Sequence, residues 1–154
     1  MKTHLDEKDV QILALLQADG RMTNADLAKK VNLSPPSALQ RVRALENAGL
    51  IKGYVALLDP DRLGLKLTAL VMIRLALHQD RPIEQFRKAV HDIPEVMDCY
   101  HVSGEFDFVL KVIVKDIRAY EQLVREKLSR IKGLQQINTS FVMGIPKQTT
   151  AIPL

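Results

Sequence analysis

The apolar positions of the first third recur at helical spacing. Leu5, Val10, Ile12, Leu13, Leu15 and Leu16 include i, i+3 and i+4 separations, with Asp6 placed as an N-cap before them and Gly20 as a stop after them. Thr23 caps a second, short helix that runs through Leu27 and Ala28 to Val31, and Asn32 and Leu33 make a tight connection. Ser34 caps a third helix whose first position is Pro35, a residue that tolerates the missing backbone donor there, and Gly49 ends it. Leu39, Val42 and Leu45 fall at successive threes on the stripe expected to pack. Ser37, Gln40, Arg43 and Ala44 fall on the other side, with Arg41 at its flank.

After Gly49 the pattern turns extended, from Ile51 to Ala56, before the turn-forming Asp59-Pro60-Asp61. This predicts a small strand pair, or wing, leading into a linker. The rest reads as strand (Leu65 to Leu77), helix (Pro82 to His91), strand (Val96 to Val102), strand (Phe106 to Val114), helix (Ile117 to Ile131) and strand (Gln135 to Met143). Gly104 marks the turn between the two central strands, and Asp116 and Gly133 bracket the second helix. The order βαββαβ predicts a ferredoxin-like layer, an open antiparallel sheet with both helices on one face. The chain is therefore α+β, with boundaries expected at residues 1–53 for the helical domain, 54–64 for a linker strand or hinge, and 65–154 for the sheet domain. Leu67, Ala69, Leu70, Val71, Met72 and Ile73 are apolar on both sides of the first strand, so the free sheet face needs a cover. Self-association is the simplest one.

Charge sharpens the picture by its location. The 154 residues carry a formal charge of only +4. Between Lys29 and Lys52, however, five cations (Lys29, Lys30, Arg41, Arg43, Lys52) face one anion, Glu46, whereas residues 54–154 hold 14 cations and 12 anions. The excess thus sits on the same segment as the short helix, tight turn and longer capped helix. That is helix-turn-helix geometry, in which the second helix enters the DNA major groove and Arg and Gln reach base edges, so Ser34, Ser37, Gln40, Arg41 and Arg43, with Lys30 and Lys52, are the residues expected to bind DNA. Ser34 and the amides after it suit a phosphate, and Lys29, Lys30, Arg43 and Lys52 add sequence-blind attraction.

Composition excludes several alternatives. With 47% hydrophobic residues the chain has enough for a core, and with one cysteine, Cys99, it forms no internal disulfide and offers no zinc spacing. The N-terminus lacks the apolar core of a signal peptide, and the longest apolar run, Leu67 to Leu77, is too short to span a bilayer and contains Arg74. A cytoplasmic protein with no membrane partner and no metal is the expectation. An enzyme would have to rest on Glu105 and Asp107 with His101 nearby, without a nucleophile or further acid to complete a site; the other histidines, His4, His78 and His91, are scattered. An RNA-binding module would have to rest on Gly104 to Val109, which echoes the aromatic strand of an RRM. Its acids, Glu105 and Asp107, would repel a phosphate backbone.

The strings DVQILALLQADGRMTNADLAKKV and LSPPSALQRVRALENAGLIKGYVALLDPDRLG together resemble the DNA-binding half of the Lrp/AsnC, or feast/famine, family. HVSGEFDFVLKV, a helix from Asp116 and then GLQQINTSFVM resemble its regulatory domain, of the RAM type, so the resemblance covers nearly the whole chain. Pro36-Ser37 and the short tail after Ile145 depart from many members. The resemblance implies a bacterial or archaeal, nucleoid-associated transcription regulator with a winged helix-turn-helix, which dimerises, commonly assembles to octamers, and responds to a small molecule, usually an amino acid. The family pattern of a glycine, two residues and an aspartate falls on Gly104 and Asp107, with Ser103, Glu105 and Phe106 around them. It implies an effector site between dimers, to which Thr139, Ser140 and Phe141 are weaker additions.

Overall fold

A computed structural model describes residues 5–76 and 80–154, with the backbone alone at 80–82. Met1 to His4, Leu77 as the end of the first strand, and His78 lie outside the described residues. The chain divides into two compact units, residues 1–57 with 147–154, and residues 58–146. The last eight residues thus group with the helical unit, where the sequence placed them in the sheet domain.

The first unit holds α1 (Glu7–Ala18), α2 (Asn24–Lys30) and α3 (Pro35–Asn47). Each starts at the cap that the sequence predicts. Asp6 accepts from the Asp9 amide in a reciprocal capping box, Thr23 accepts from the Asp26 amide, and Ser34 accepts from the Ser37 amide. Two helices end in the same way. At α2 the Leu33 amide reaches the Ala28 carbonyl and the Asn32 amide reaches Lys29, and at α3 Leu50 reaches Leu45 and Gly49 reaches Glu46. This is the Schellman pattern, which requires a left-handed residue just past the helix: Asn32 has φ 54° and Gly49 has φ 71°. The core of this unit is Ile12, Leu13, Leu27, Val31 and Leu45.

Two expectations change here. The packed stripe of α3 is Ala38 and Leu45, with Val42 partly buried, while Leu39 is 37% exposed. A 3.6-residue turn brings i, i+3, i+4 and i+7 into line, so Ala38 rather than Leu39 shares a face with Val42 and Leu45. The strand pair read over Ile51 to Ala56 is not formed, since residues 52–59 take no regular structure. The Ile51 amide turns back to the Leu45 carbonyl (3.4 Å) and the Tyr54 hydroxyl donates to Glu46 Oε1 (3.1 Å), so the bonds of this segment go to α3 and not to a partner strand.

The second unit contains β1 (Leu67–Leu75), α4 (Asp80–His91), β2 (Val96–His101), β3 (Phe108–Val114), α5 (Ile117–Glu126), a short 3-10 turn (Leu128–Arg130) and β4 (Leu134–Phe141). The elements follow the predicted βαββαβ order, with ends displaced by a few residues. The four strands pair antiparallel in the order β2-β3-β1-β4, the order of a ferredoxin-like sheet. Ala69, Val71, Ile73 and Leu75 of β1 and Phe108, Leu110, Val112 and Val114 of β3 alternate onto one face. There they join Phe86 and Val90 of α4 and Tyr120 and Leu123 of α5 in one core. Thr68, Leu70, Met72 and Arg74 point the other way, and Leu70 is 39% exposed. Among the described residues, no helix is long and apolar enough to cross a membrane.

Candidate nucleic-acid interface and ligand-binding turn

The helix pair α2 and α3 is fixed from several sides. Asn24, at the start of α2, donates from Nδ2 to the Pro35 carbonyl at the start of α3 (2.8 Å), so one side chain sets the separation of the two helix N-termini. Lys8 of α1 donates from Nζ to the Val31 carbonyl (2.7 Å), placing a cation on the negative end of α2. Ser34 and Ser37 share a hydrogen bond between hydroxyls (2.8 Å) at the α3 N-terminus.

On this frame Ser37, Gln40 and Arg43 are exposed on α3, with Lys29 and Lys30 exposed on α2 and Lys52 exposed beyond α3. Polar side chains able to bond base edges and cations able to meet phosphates therefore occur together on one rigid helix pair. Arg41 is different. The sequence placed it beside this exposed face, whereas its guanidinium Nη1 lies 2.7 Å from Asp6 and 2.8 Å from Asp9 of α1. It follows Ala38 by three and precedes Leu45 by four, so the turn of the helix carries it toward α1. The Asp9 amide and then the Arg41 guanidinium hold the Asp6 carboxyl below its usual range, and the two carboxylates raise Arg41 further.

The turn between β2 and β3 is stitched to β1. The Val102 amide bonds the Asp107 carbonyl (3.0 Å), the Asp107 amide bonds the Ile73 carbonyl (2.9 Å), and Asp107 Oδ2 accepts from the Leu75 amide (2.7 Å). Arg74 completes the seam. Its Nε donates to the Glu105 carbonyl (3.0 Å), its Nη2 pairs with Glu105 Oε1 (2.9 Å), and its guanidinium lies 5.5 Å from the centroid of Phe106. Gly104 sits at the tip with φ 121°, a left-handed conformation that side chains rarely adopt. Ser103, Gly104 and Glu105 are exposed. The Glu105 carboxylate and the Arg74 guanidinium, paired with each other, lie beside this exposed tip.

Thr139 and Phe141 lie elsewhere. The Tyr120 hydroxyl of α5 hydrogen-bonds the Thr139 hydroxyl, and the Tyr120 ring meets Phe141 edge-on at 5.3 Å. Burial pushes the Tyr120 phenol up, and the bond to Thr139 works against that rise. Thr139 pairs with Val71 and Phe141 with Ala69, whereas the Asp107 turn attaches at Ile73 and Leu75. At the ordinary rise of a strand, Val71 lies about 7 Å from Ile73 and about 13 Å from Leu75, and Ala69 lies further off still. One chain therefore does not bring the two groups together. Ser140, opposite Leu70, points to the other sheet face.

Sequence reasoning did not assign Arg74 or Tyr120 to these groups. Arg74 had a signal, a lone cation inside an apolar strand, which needs a partner. Tyr120 had none, because its partners come from β4. Among the described residues, no group of His, Cys, Asp or Glu is placed to hold a metal ion.

Comparison with known proteins follows the same division. Residues 5–52 match the family described as winged helix-turn-helix DNA-binding, and residues 68–152 match the Lrp/AsnC ligand binding domain. The leucine-responsive regulatory proteins of Klebsiella pneumoniae and of Escherichia coli K12 are each 43% identical over 150 residues, 96% of this chain and 90% of theirs. A transcriptional regulator of Neisseria meningitidis, solved as a complex with L-Met, superposes with a TM-score of 0.93 at 36% identity, covering 97% of both chains. An AsnC family transcriptional regulator of Agrobacterium tumefaciens superposes with a TM-score of 0.91 at 38% identity, again over 97% of both.

Proposed function

Because the chain belongs to the Lrp/AsnC family of DNA-binding transcriptional regulators, and is not an enzyme, we propose that its effector is an amino acid taken up at the Gly104 to Asp107 turn. The carrying observation is the seam itself. Arg74 and Glu105 supply opposite charges beside a glycine tip, which is the chemistry that an α-carboxylate and an α-ammonium group require. Leucine and methionine are the first ligands to test, since relatives are named for a leucine response and a similar structure was solved with L-Met. Thr139 and Phe141 contribute only if a second subunit brings them to the turn.

Ser34, Ser37, Gln40 and Arg43 are assigned to the DNA groove, with Lys30 and Lys52 on phosphates. Residues 54–64 serve as the hinge between DNA-binding and ligand-binding domains. Dimers form through the apolar sheet face and assemble further to octamers, presenting recognition helices to half-sites roughly 34 Å apart or a multiple of it. The protein acts in the cytoplasm, on the nucleoid. Ligand alters DNA binding through its different affinity for the assembled states.

A thermal-shift series with the common amino acids tests the effector. A ligand of the native state at a hundredfold excess over its Kd adds about 2.7 kcal/mol of stability. The reading requires a selective rise that Arg74→Ala or Asp107→Asn abolishes. No rise with any amino acid overturns the effector assignment and leaves DNA binding untouched. Light scattering tests the octamer.

A further inference from the structure

Residues 147–154 leave the sheet unit and fold with the helical one, forming one compact body with residues 1–57. Their attachment is specific. The Gln17 carboxamide donates from Nε2 to the Ile152 carbonyl (3.1 Å) and accepts at Oε1 from the Ile152 amide (2.6 Å). A carboxamide that satisfies both backbone groups of one residue does the work of a neighbouring strand, so it fixes the position of a segment without using that segment's side chains. The Thr149 hydroxyl accepts from the Ala151 amide (3.1 Å) just before the contact.

The same contact is lightly held. Ile152 is 69% and Leu154 60% exposed, so the segment contributes directional bonds at the surface and little buried apolar area. Contacts of that kind open well before the fold does. They are also well placed to matter. Gln17 lies in the last turn of α1, next to Leu15 and Leu16, which pack on the core of the helix-turn-helix, and α1 and its N-cap Asp6 carry the two carboxylates that hold Arg41 of α3.

We propose that residues 147–154 form a reversible latch on the DNA-binding unit. Closed on Gln17, the latch gives that unit a second attachment to the sheet unit besides the chain at residues 57–58, and it steadies α1. Open, it leaves the single linker and a looser α1. Two attachments confine the recognition helix to fewer orientations, which raises its effective concentration at a DNA half-site.

The experiment compares the full chain with the same chain ended after Pro146, with Gln17→Ala, and with Gln17→Glu, which keeps the acceptor and loses the donor. Circular dichroism establishes that each is folded. Amide exchange over Leu15 to Gly20 is expected to rise on the order of tenfold in the shortened chain and in Gln17→Ala, the consequence of losing about one hydrogen bond's worth of local stability. Affinity for a duplex selected by the full chain from random sequence is expected to fall roughly three- to tenfold in both, with Gln17→Glu intermediate. A synthetic peptide of residues 147–154, at millimolar concentration, restores exchange protection to the shortened chain and not to Gln17→Ala. Unchanged exchange in both variants overturns the latch. So does faster exchange with unchanged DNA affinity, which leaves the segment as packing alone. No amino acid is present in any arm, so the result is independent of the effector assignment.

Discussion

Arg41 of the recognition helix and Asp9 of α1 lie 2.8 Å apart, and Asp6 receives the same guanidinium nitrogen at 2.7 Å. A cation that the sequence placed among the DNA-binding residues is thereby committed to the capping box of the helix that supports it.

Arg41→Ala is accordingly expected to lower the melting point of the N-terminal unit, where a DNA-facing residue would leave it unchanged. The pH dependence has a definite sign. Folding depresses the Asp6 pKa from 3.8, so the stabilisation is complete above that ordinary value and disappears as pH falls through the lower folded one. Asp6→Asn keeps a capping side chain but loses the charge. Melting curves of the native chain and Asp6→Asn should differ at about pH 6 and approach each other as the pH falls below 3.8; parallel curves would show that the ion pair adds nothing.

The exposed face of the α2–α3 pair separates two kinds of contact. Lys30→Ala should weaken binding to all DNA sequences alike and reduce the salt slope by about 1, as expected for one lost phosphate contact. Gln40→Ala and Arg43→Ala should each cost about 1–3 kcal/mol on the preferred sequence and relax the choice of base at one position. Filter binding across a salt series distinguishes the two, and a uniform loss for Gln40→Ala contradicts its place at a base edge.

Asn32 holds φ 54° at the turn between α2 and α3. Asn32→Gly should leave stability within a few tenths of a kcal/mol, and Asn32→Val should cost about 1–2 kcal/mol, because a β-branched residue is strained in the left-handed region. Urea unfolding of the N-terminal unit measures both. Equal stabilities would mean that the turn relaxes to another conformation.

At the tip of the other turn, a Cβ on Gly104 would meet nothing within 4 Å, yet φ is 121°. The cost of Gly104→Ala is then entirely backbone strain, about 1–3 kcal/mol. Thermal denaturation of the sheet unit reads it directly. A neutral substitution would show that the turn has an unstrained alternative.

What the sequence made legible was local. Asp6, Thr23, Ser34 and Asp116 announce their helices because a cap and the amide it binds are only three residues apart. The sheet order followed from element order for the same reason of limited choice. The faces of α3 were less accessible. Leu39 and Ala38 are both apolar and each lies within about a turn of Val42, so the run of threes from Leu39 masked the i, i+4, i+7 line of Ala38, Val42 and Leu45 that packs. Arg41 followed from that rotation, so its partners were hidden with it. The seam of Arg74 and Glu105 and the pairing of Tyr120 with Thr139 join residues distant in the chain, and nothing within a helix turn or a strand alternation reports such a meeting. The strand pair read after Gly49 failed because alternation shows which residues suit an extended segment and says nothing of whether a partner strand is present.

The placement of β1 at the interior of the sheet, with β3 on one side and β4 on the other, also sets an order of events during synthesis. The three N-terminal helices close on neighbours near in sequence, so they fold as soon as they emerge. β1 emerges next and acquires its second partner only when the last strand, ending at Phe141, is made. Until then one edge of β1 stands unpaired, a template on which another chain can add a strand, even though α4 and α5 are already available to cover its core face.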